Sequence, residues 1–316
     1  MKVIDLINSS KSTAFSFEIL PPLKGNSIQK VYNVIDKLIE FDPKYINITS
    51  HHSEYIYKTL PDGSFQKVNI RKRPGSVAIA SAIQNKYGIT AVPHIICKGF
   101  TKDETEYALI DLNFLGVYDL LLLRGDVKTL EAGQKTDIYH EHATDLQQQV
   151  NDFNKGIAID GSAFEANETP FSYGMACYPE KHEEAPNMES DIFYLKEKVK
   201  NGADYLVTQM FFDNEKYYAF VDRCRAEGIT VPIIPGIKPI VFKNRLTVLP
   251  KIFRSDIPEP FATELRKCKT DDEAKAVGVE WCIQQCKDLI AHGVPSLHFY
   301  TMMASDSVYK VAKEVY

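Results

Sequence analysis

The sequence predicts an α/β fold, a (β/α)8 TIM barrel formed by residues 1–316 as one domain. Three observations predict it. Short β-rich runs alternate with longer helical patterns until eight candidate strands have been counted. Each strand feeds a helix, with no Asn-Gly hairpin signal between them, which favours a closed parallel barrel over a sandwich; an open doubly wound sheet is the main competitor. A length of 316 residues is usual for such a barrel as a single unit.

The elements follow in order. AFSFEI (14–19) reads as the first strand, followed by a helix near 27–41, a strand YINIT (45–49) and a helix near 74–87. TAVPHI (90–95) precedes a helix opening at Thr101, where T-x-x-E forms a capping box ahead of Leu109 and Leu112. YDLLLL (118–123) is almost continuously apolar, as expected of a strand buried on both faces. SYGMAC (172–177), a helix near 188–201, DYLVTQ (204–209) and a helix near 214–227 come next. VPIIP (231–235), helical segments to 292 and SLHFYT (296–301) complete the series. The stretch 156–171 reads as a turn-rich insertion, and Pro61 to Pro74, with Asp62-Gly63 and the basic Arg71 to Arg73, as a loop.

Composition narrows the function. Hydrophobic residues at 44% and charged residues at 25% are ordinary for a globular protein, and no apolar run approaches the roughly 18 to 20 residues that span a bilayer. The amino-terminal segment lacks the apolar stretch and cleavage site of an export signal, so a cytoplasmic location without membrane association is expected. A net charge of −5 with scattered lysines and arginines argues against nucleic acid as a partner. The six cysteines form no C-x-x-C pair, and Cys282 and Cys286, four apart in a helix, read as packing rather than as a metal site. Neither G-x-G-x-x-G nor G-x-x-x-x-G-K-[ST] is present, so any nucleotide is held by another geometry.

In a barrel, residues at the carboxyl ends of the strands face the active site. Here those ends carry Glu18, Thr49, His94, Arg124-Gly125-Asp126, Tyr178 to His182, and Gln209. Singly, each has an ordinary structural explanation: a solvated strand glutamate, a hydrogen-bonded core histidine, a charged turn, a strand cap. Acid, imidazole, guanidinium and amide groups converging on one rim point to a polar ligand.

The ordered segments FSFEILPP, YINIT, VPHIICKGFT, LLLLRGD, CYPEKHEEA, DIFYLKEKVKNGADYLVTQMFFD, VPIIPGIKPI and LHFYT resemble the methylenetetrahydrofolate reductase family from about Phe15 to about Tyr316. The resemblance implies a barrel that binds FAD, takes electrons from NADH or NADPH, and reduces methylenetetrahydrofolate to methyltetrahydrofolate in ping-pong order, supplying methyl groups for methionine synthesis. It implies that Glu18 is the acid that opens the five-membered folate ring, and that Asp126 lies near the flavin and the pterin. Gln209 would hold the folate, while Thr49, His94, Arg124, Gly125, Asp126, Ala143, Tyr178, His182, Asp191 and Lys198 would line the FAD. A homo-oligomer is the expected assembly. The chemistry agrees, because the closed folate is a poor hydride acceptor until N10 is protonated and an iminium forms at N5. A carboxylate at Asp126 would stabilise that cation and tune the flavin.

Some positions depart from the family pattern. Tyr194 stands where an asparagine is familiar and Glu197 where an arginine is. The family's YTLNR appears as Tyr300-Thr301-Met302-Met303-Ala304, which removes the arginine expected at the glutamate tail of the folate. Arg245, where a glutamine is familiar, is the nominated replacement, with Lys238 and Lys243 as alternatives. The rival readings are a related flavin barrel that oxidises an amine, and a folate-binding or assembly protein that has lost the flavin.

Overall fold

In the computed structural model, which describes residues 1–51, 54–98, 100–125, 138–302 and 305–316, the alternation in the sequence becomes an alternation of parallel strands and outer helices. The first half runs α1 (Val3–Ser9), β1 (Ala14–Ile19), α2 (Gln29–Leu38), β2 (Tyr45–Ile48), β3 (Glu54–Thr59), β4 (Phe65–Ile70), α3 (Ser76–Tyr87), β5 (Thr90–Ile96), α4 (Lys102–Phe114) and β6 (Asp119–Leu123). The second runs α5 (Ala143–Asn154), β7 (Ser172–Cys177), α6 (Met188–Lys200), β8 (Tyr205–Thr208), α7 (Asn214–Ala226), β9 (Ile233–Ile234), β10 (Gly236–Ile237), α8 (Arg245–Phe253), α9 (Glu259–Lys267), α10 (Asp271–Ala291), β11 (Ser296–Tyr300) and α11 (Ser305–Val315). The capping box expected at Thr101 is present: its hydroxyl accepts from the Glu104 N–H at 3.1 Å, and Glu104 accepts from the Thr101 N–H at 2.8 Å.

The parallel sheet has the order β10-β11-β1-β2-β5-β6-β7-β8-β9, and its two ends are halves of one strand interrupted at Pro235. Before the proline, Ile234 pairs with Val207 of β8; after it, Gly236 pairs with His298 of β11. Proline has no N–H to extend the first ladder, so the chain changes partner there and the barrel closes. The Gly236 N–H donates to the Thr208 hydroxyl at 2.9 Å, and the Tyr300 hydroxyl to the Thr208 carbonyl at 2.6 Å, joining the strands across the break. The expected strand at 231–235 is thus shorter at its start and continues past the proline to Ile237.

Side chains alternate along each strand. Phe15, Phe17 and Ile19 face outward into the layer shared with the helices, as do Ile46 and Ile48, Leu120 and Leu122, and Leu297 and Phe299. Burying each such side chain contributes roughly 1.5–3 kcal/mol. The intervening positions, among them Ser16, Glu18, Asn47, His94 and His298, face the barrel interior and are also buried. At the amino-terminal mouth the interior is closed by α1: Val3 and Ile7 join Tyr45, Val92, Leu121, Tyr205, Val207 and Ile234 in one apolar cluster. The Val3 N–H donates to Asp119 Oδ1 at 2.8 Å, fixing the plug.

The reading of Pro61 to Pro74 as a loop is corrected. Strands β3 and β4 pair antiparallel as a separate hairpin. The Gly63 N–H donates to the Leu60 carbonyl at 2.9 Å with Gly63 at φ 81°, and the Leu60 N–H donates to Ser64 O at 2.7 Å. Asp62 Oδ1 accepts from both Ser64 N and Ser64 Oγ, so Pro-Asp-Gly makes the turn and its positive-φ glycine starts the return strand. Asp160-Gly161-Ser162 repeats the device inside the insertion at 156–171. Near the barrel's carboxyl mouth, Gly278 of α10 lies against the backbone just beyond β10; a Cβ there would sit 1.9 Å from the Ile240 carbonyl oxygen.

Candidate functional site at the carboxyl ends of the strands

The register of β1 sets Glu18 between Asn47 of β2 and Tyr300 of β11, pointing into the barrel near its open mouth. The Thr301 hydroxyl donates to the Glu18 carbonyl and pins the strand. Among the described residues no hydrogen-bond donor reaches the Glu18 carboxylate; His94 lies beside it, with Nε2 3.6 Å from Oε2. Burial pushes the Glu18 carboxyl up to about 8, against the pull of the Lys238 ammonium. Burial holds His94 down to about 3, with His298 and His51 acting in the same direction. At neutral pH both groups are therefore uncharged, and their proximity is that of an acid and an imidazole rather than of an ion pair. His94 Nε2 and both side-chain polar atoms of Asn47 are buried without a hydrogen-bond partner among the described residues. Such atoms are costly to leave unpaired and mark the interior as a place for a polar ligand.

Lys238 directly follows β10 and donates to the Tyr300 carbonyl at 3.3 Å. Burial lowers its ammonium to about 8; Glu18 opposes the shift and Arg245 adds to it. Arg245 opens α8, half-buried, with its guanidinium carbon 5.6 Å from the centre of the Phe242 ring.

A second group forms past β6 and β7. The Arg124 guanidinium pairs with the Glu184 carboxylate through two nitrogens, while its Nε is buried without a hydrogen-bond partner among the described residues. The Glu184 N–H donates to His182 Nδ1 at 3.2 Å, the His182 N–H to Asp191 Oδ2 at 2.8 Å, and the Tyr178 ring meets the His182 ring edge-on at 4.7 Å. Gly125 has φ 82°, which favours glycine, and a Cβ there would lie 3.4 Å from Ile96 Cβ. Ala143 is the first residue of α5, whose start is tied to β5 by the Cys97 thiol donating to the His142 carbonyl at 3.3 Å.

The remaining expected residues are more scattered. Thr49 follows β2, its N–H on the Ile19 carbonyl at 3.0 Å. Gln209 follows β8, and its Oε1 accepts from the neighbouring Met210 N–H at 3.0 Å. Lys198 lies in the layer between α6 and β7, its ammonium on the Ala176 carbonyl at 3.0 Å. Tyr194 is exposed. Asp126 and Ala304 lie outside the described residues. The strand ends named from the sequence leave out Glu184, which faces Arg124, and the arrival of Lys238 level with Tyr300, the β11 partner of Glu18. Lys238 was legible only by extending the strand beyond Pro235.

The barrel and its rim define an α/β-barrel protein whose polar groups gather at the carboxyl ends of parallel strands around one buried, uncharged acid. The chain belongs to the methylenetetrahydrofolate reductase family, whose profile matches residues 2–316. A probable methylenetetrahydrofolate reductase (NADPH) of Caenorhabditis elegans is 30% identical over 99% of this chain and 43% of its own length. The 5,10-methylenetetrahydrofolate reductase of Escherichia coli is 30% identical over 94% of this chain and 88% of its own. The chain thus spans under half of the worm relative and most of the bacterial one. An uncharacterized Clostridium thermocellum protein that binds two copies of 5-methyl-5,6,7,8-tetrahydrofolic acid superposes with a TM-score of 0.56 at 15% identity, over 98% of this chain and 97% of that one. At that identity the likeness is one of fold.

Proposed function

We propose that this chain reduces 5,10-methylenetetrahydrofolate to 5-methyltetrahydrofolate, using bound FAD and NADH or NADPH in ping-pong order and supplying methyl groups for methionine synthesis. Membership of the family supports the substrate, and one observation carries the chemistry: Glu18 is a carboxyl buried inside the barrel near its open mouth beside His94, where burial favours its protonated form. We further propose that the chain works as one domain, in the cytoplasm and as a homo-oligomer. No described helix is long and apolar enough to cross a membrane.

The residues past β5, β6 and β7 suit FAD. The buried Nε of Arg124 lacks a partner among the described residues and provides a cationic donor for an anionic group, and the start of α5 offers backbone N–H groups of the kind that bind phosphate. Thr49, His94, Arg124, Gly125, Ala143, Tyr178, His182 and Asp191 would hold the cofactor, with Asp126 at its reactive end and Lys198 behind β7. A flavin held there would supply hydride transfer between the reduced nicotinamide and the folate methylene carbon. Glu18 delivers a proton to N10 of the folate, the C–N10 bond breaks, and the iminium at N5 becomes the hydride acceptor. His94, kept neutral by burial, stands beside the acid without competing for its proton at this pH. Gln209 and Arg245 hold the folate, Arg245 through its glutamate carboxylates.

Two measurements test this reading. Mass spectrometry after denaturation is expected to release intact, non-covalent FAD; FMN, or no flavin after reconstitution, overturns that part. Anaerobic stopped-flow of the yellow protein, mixed first with NADH or NADPH and then with methylenetetrahydrofolate, is expected to show bleaching followed by recovery. Failure of the folate to reoxidise the flavin refutes the substrate.

A further inference from the structure

Lys238 is absent from the proton-delivery step above, yet the fold brings it to the height of Glu18. Ile237 pairs with Phe299 and Glu18 with Tyr300, so Lys238, one residue beyond Ile237, arrives level with Tyr300, the strand position that separates it from Glu18. Ile237 points outward into the helix layer, and its neighbour Lys238 is turned the other way. Its ammonium is held to the Tyr300 carbonyl at 3.3 Å, at the barrel wall. Resting on the reductase reading, we infer that Lys238 is a positioning residue for proton delivery: its ammonium stabilises the carboxylate that Glu18 becomes once its proton has gone to the folate.

The step balances without another reagent. Glu18 loses one proton to N10, its carboxylate is left with the Lys238 ammonium across Tyr300 as its cation, and the acid is restored by one proton from water after product leaves. Without a neighbouring cation, a carboxylate this buried would hold its proton too tightly to be an effective acid at neutral pH. The pull of Lys238 on Glu18 and of Glu18 on Lys238 is mutual and of opposite direction for the two groups, as expected for one coupled pair. The other titratable and charged groups around the pair are His94 from β5, His298 and Tyr300 from β11, and Arg245 from α8. The two histidines are held neutral by burial. Arg245 repels the Lys238 ammonium, and the cation that pulls on Glu18 is Lys238. Tail binding, the role suggested for Lys238 by its charge alone, is disfavoured by the hydrogen bond that turns the ammonium back to the barrel wall.

The test is the pH dependence of flavin reoxidation by methylenetetrahydrofolate in a single turnover of the pre-reduced holoenzyme. In Lys238→Met the basic limb is expected to move up by about one pH unit or more, with the plateau rate falling by about tenfold, because Glu18 becomes a weaker acid. Lys238→Arg, which keeps the charge, is expected to keep the limb within about 0.3 unit of the parent. A limb that stays in place in Lys238→Met, or moves equally in both variants, overturns the inference. A second measurement needs neither turnover nor a Lys238 variant. In Glu18→Gln the NMR titration of the Lys238 side chain is expected to move to lower pH, because the ammonium loses its anionic neighbour. An unchanged titration also overturns the inference. If the parent enzyme does not reoxidise its flavin with the folate at all, the reductase reading fails, while the NMR result still decides whether the two groups are coupled.

Discussion

Two buried carboxyls sit at opposite ends of this barrel, and burial alone does not distinguish them: Glu18 is 7% exposed and Asp119 5%. Asp119 begins β6 at the plugged mouth, where the Val3 N–H donates to it at 2.8 Å. Burial raises it to about 6, restrained by that hydrogen bond and by the nearby amino terminus and Lys2. Glu18 stands at the open mouth with no comparable donor among the described residues, and burial carries it to about 8. A backbone N–H, with the charges of the amino terminus and Lys2, separates a fastener from an acid. A carboxylate that is hydrogen-bonded while ionised has its charge already spent on structure; one that is not keeps its proton available for chemistry.

Removing the proton separates the two carboxyls most sharply. Glu18→Gln is expected to lower the folate half-reaction by roughly 10² to 10⁴ while flavin reduction by nicotinamide stays within a few-fold. Stopped-flow of the two halves reads the difference, and equal losses in both would make Glu18 a structural residue like Asp119. In the parent, the folate half-reaction is expected to decline as pH rises through about 8, because the acid form of Glu18 is the reactive one and is lost above that pH.

A smaller effect is expected from Arg245→Ala. A charge-assisted hydrogen bond to the folate tail contributes roughly 1.5 to 3 kcal/mol, so folate binding is expected to weaken by about 10- to 100-fold, less if solvent screens the contact. Equilibrium titration of the reduced folate measures it, and an unchanged dissociation constant removes Arg245 from the site. The smallest effect on activity is expected at the other mouth. Asp119→Ala leaves the Val3 N–H without its acceptor and is expected to cost about 1 to 3 kcal/mol in urea unfolding, with the rate per folded molecule unchanged. A collapse of the folate half-reaction in folded Asp119→Ala would abolish the contrast between the two ends.

The barrel was legible because its signal is redundant: each strand's apolar run and the helix after it repeat the same alternation. What escaped the sequence were elements with a weaker period or a partner far along the chain. Helix α1 is short and shows its purpose only against Tyr45, Val92 and Tyr205. Strands β3 and β4 pair with each other outside the barrel, with Ile56, Tyr57 and Phe65 exposed, so the Pro-Asp-Gly turn stood without a clear buried face beside it. Much of the candidate rim could be named because its residues follow apolar strands, Glu18, His94 and Arg124 above all. The strand-end place of Lys238, named only as an alternative for the folate tail, and the partner of Glu184 were hidden for different reasons. Pro235 disguises the continuation of its strand, and Glu184 lies in an acidic run where only the fold reveals that it faces Arg124.

The glycine on α10 ties the outer shell to the backbone that follows Lys238. A methyl group at position 278 would press on the Ile240 carbonyl oxygen from 1.9 Å, and the backbone displaced is the one that delivers Lys238 to the wall beside Glu18. Alanine normally improves a helix by about 1 kcal/mol over glycine, so local propensity favours the exchange. The contact opposes it. Position 278 is therefore expected to behave in evolution as active-site residues do, intolerant of a change that its own helix would welcome, although it lies on an outer helix rather than on a barrel strand.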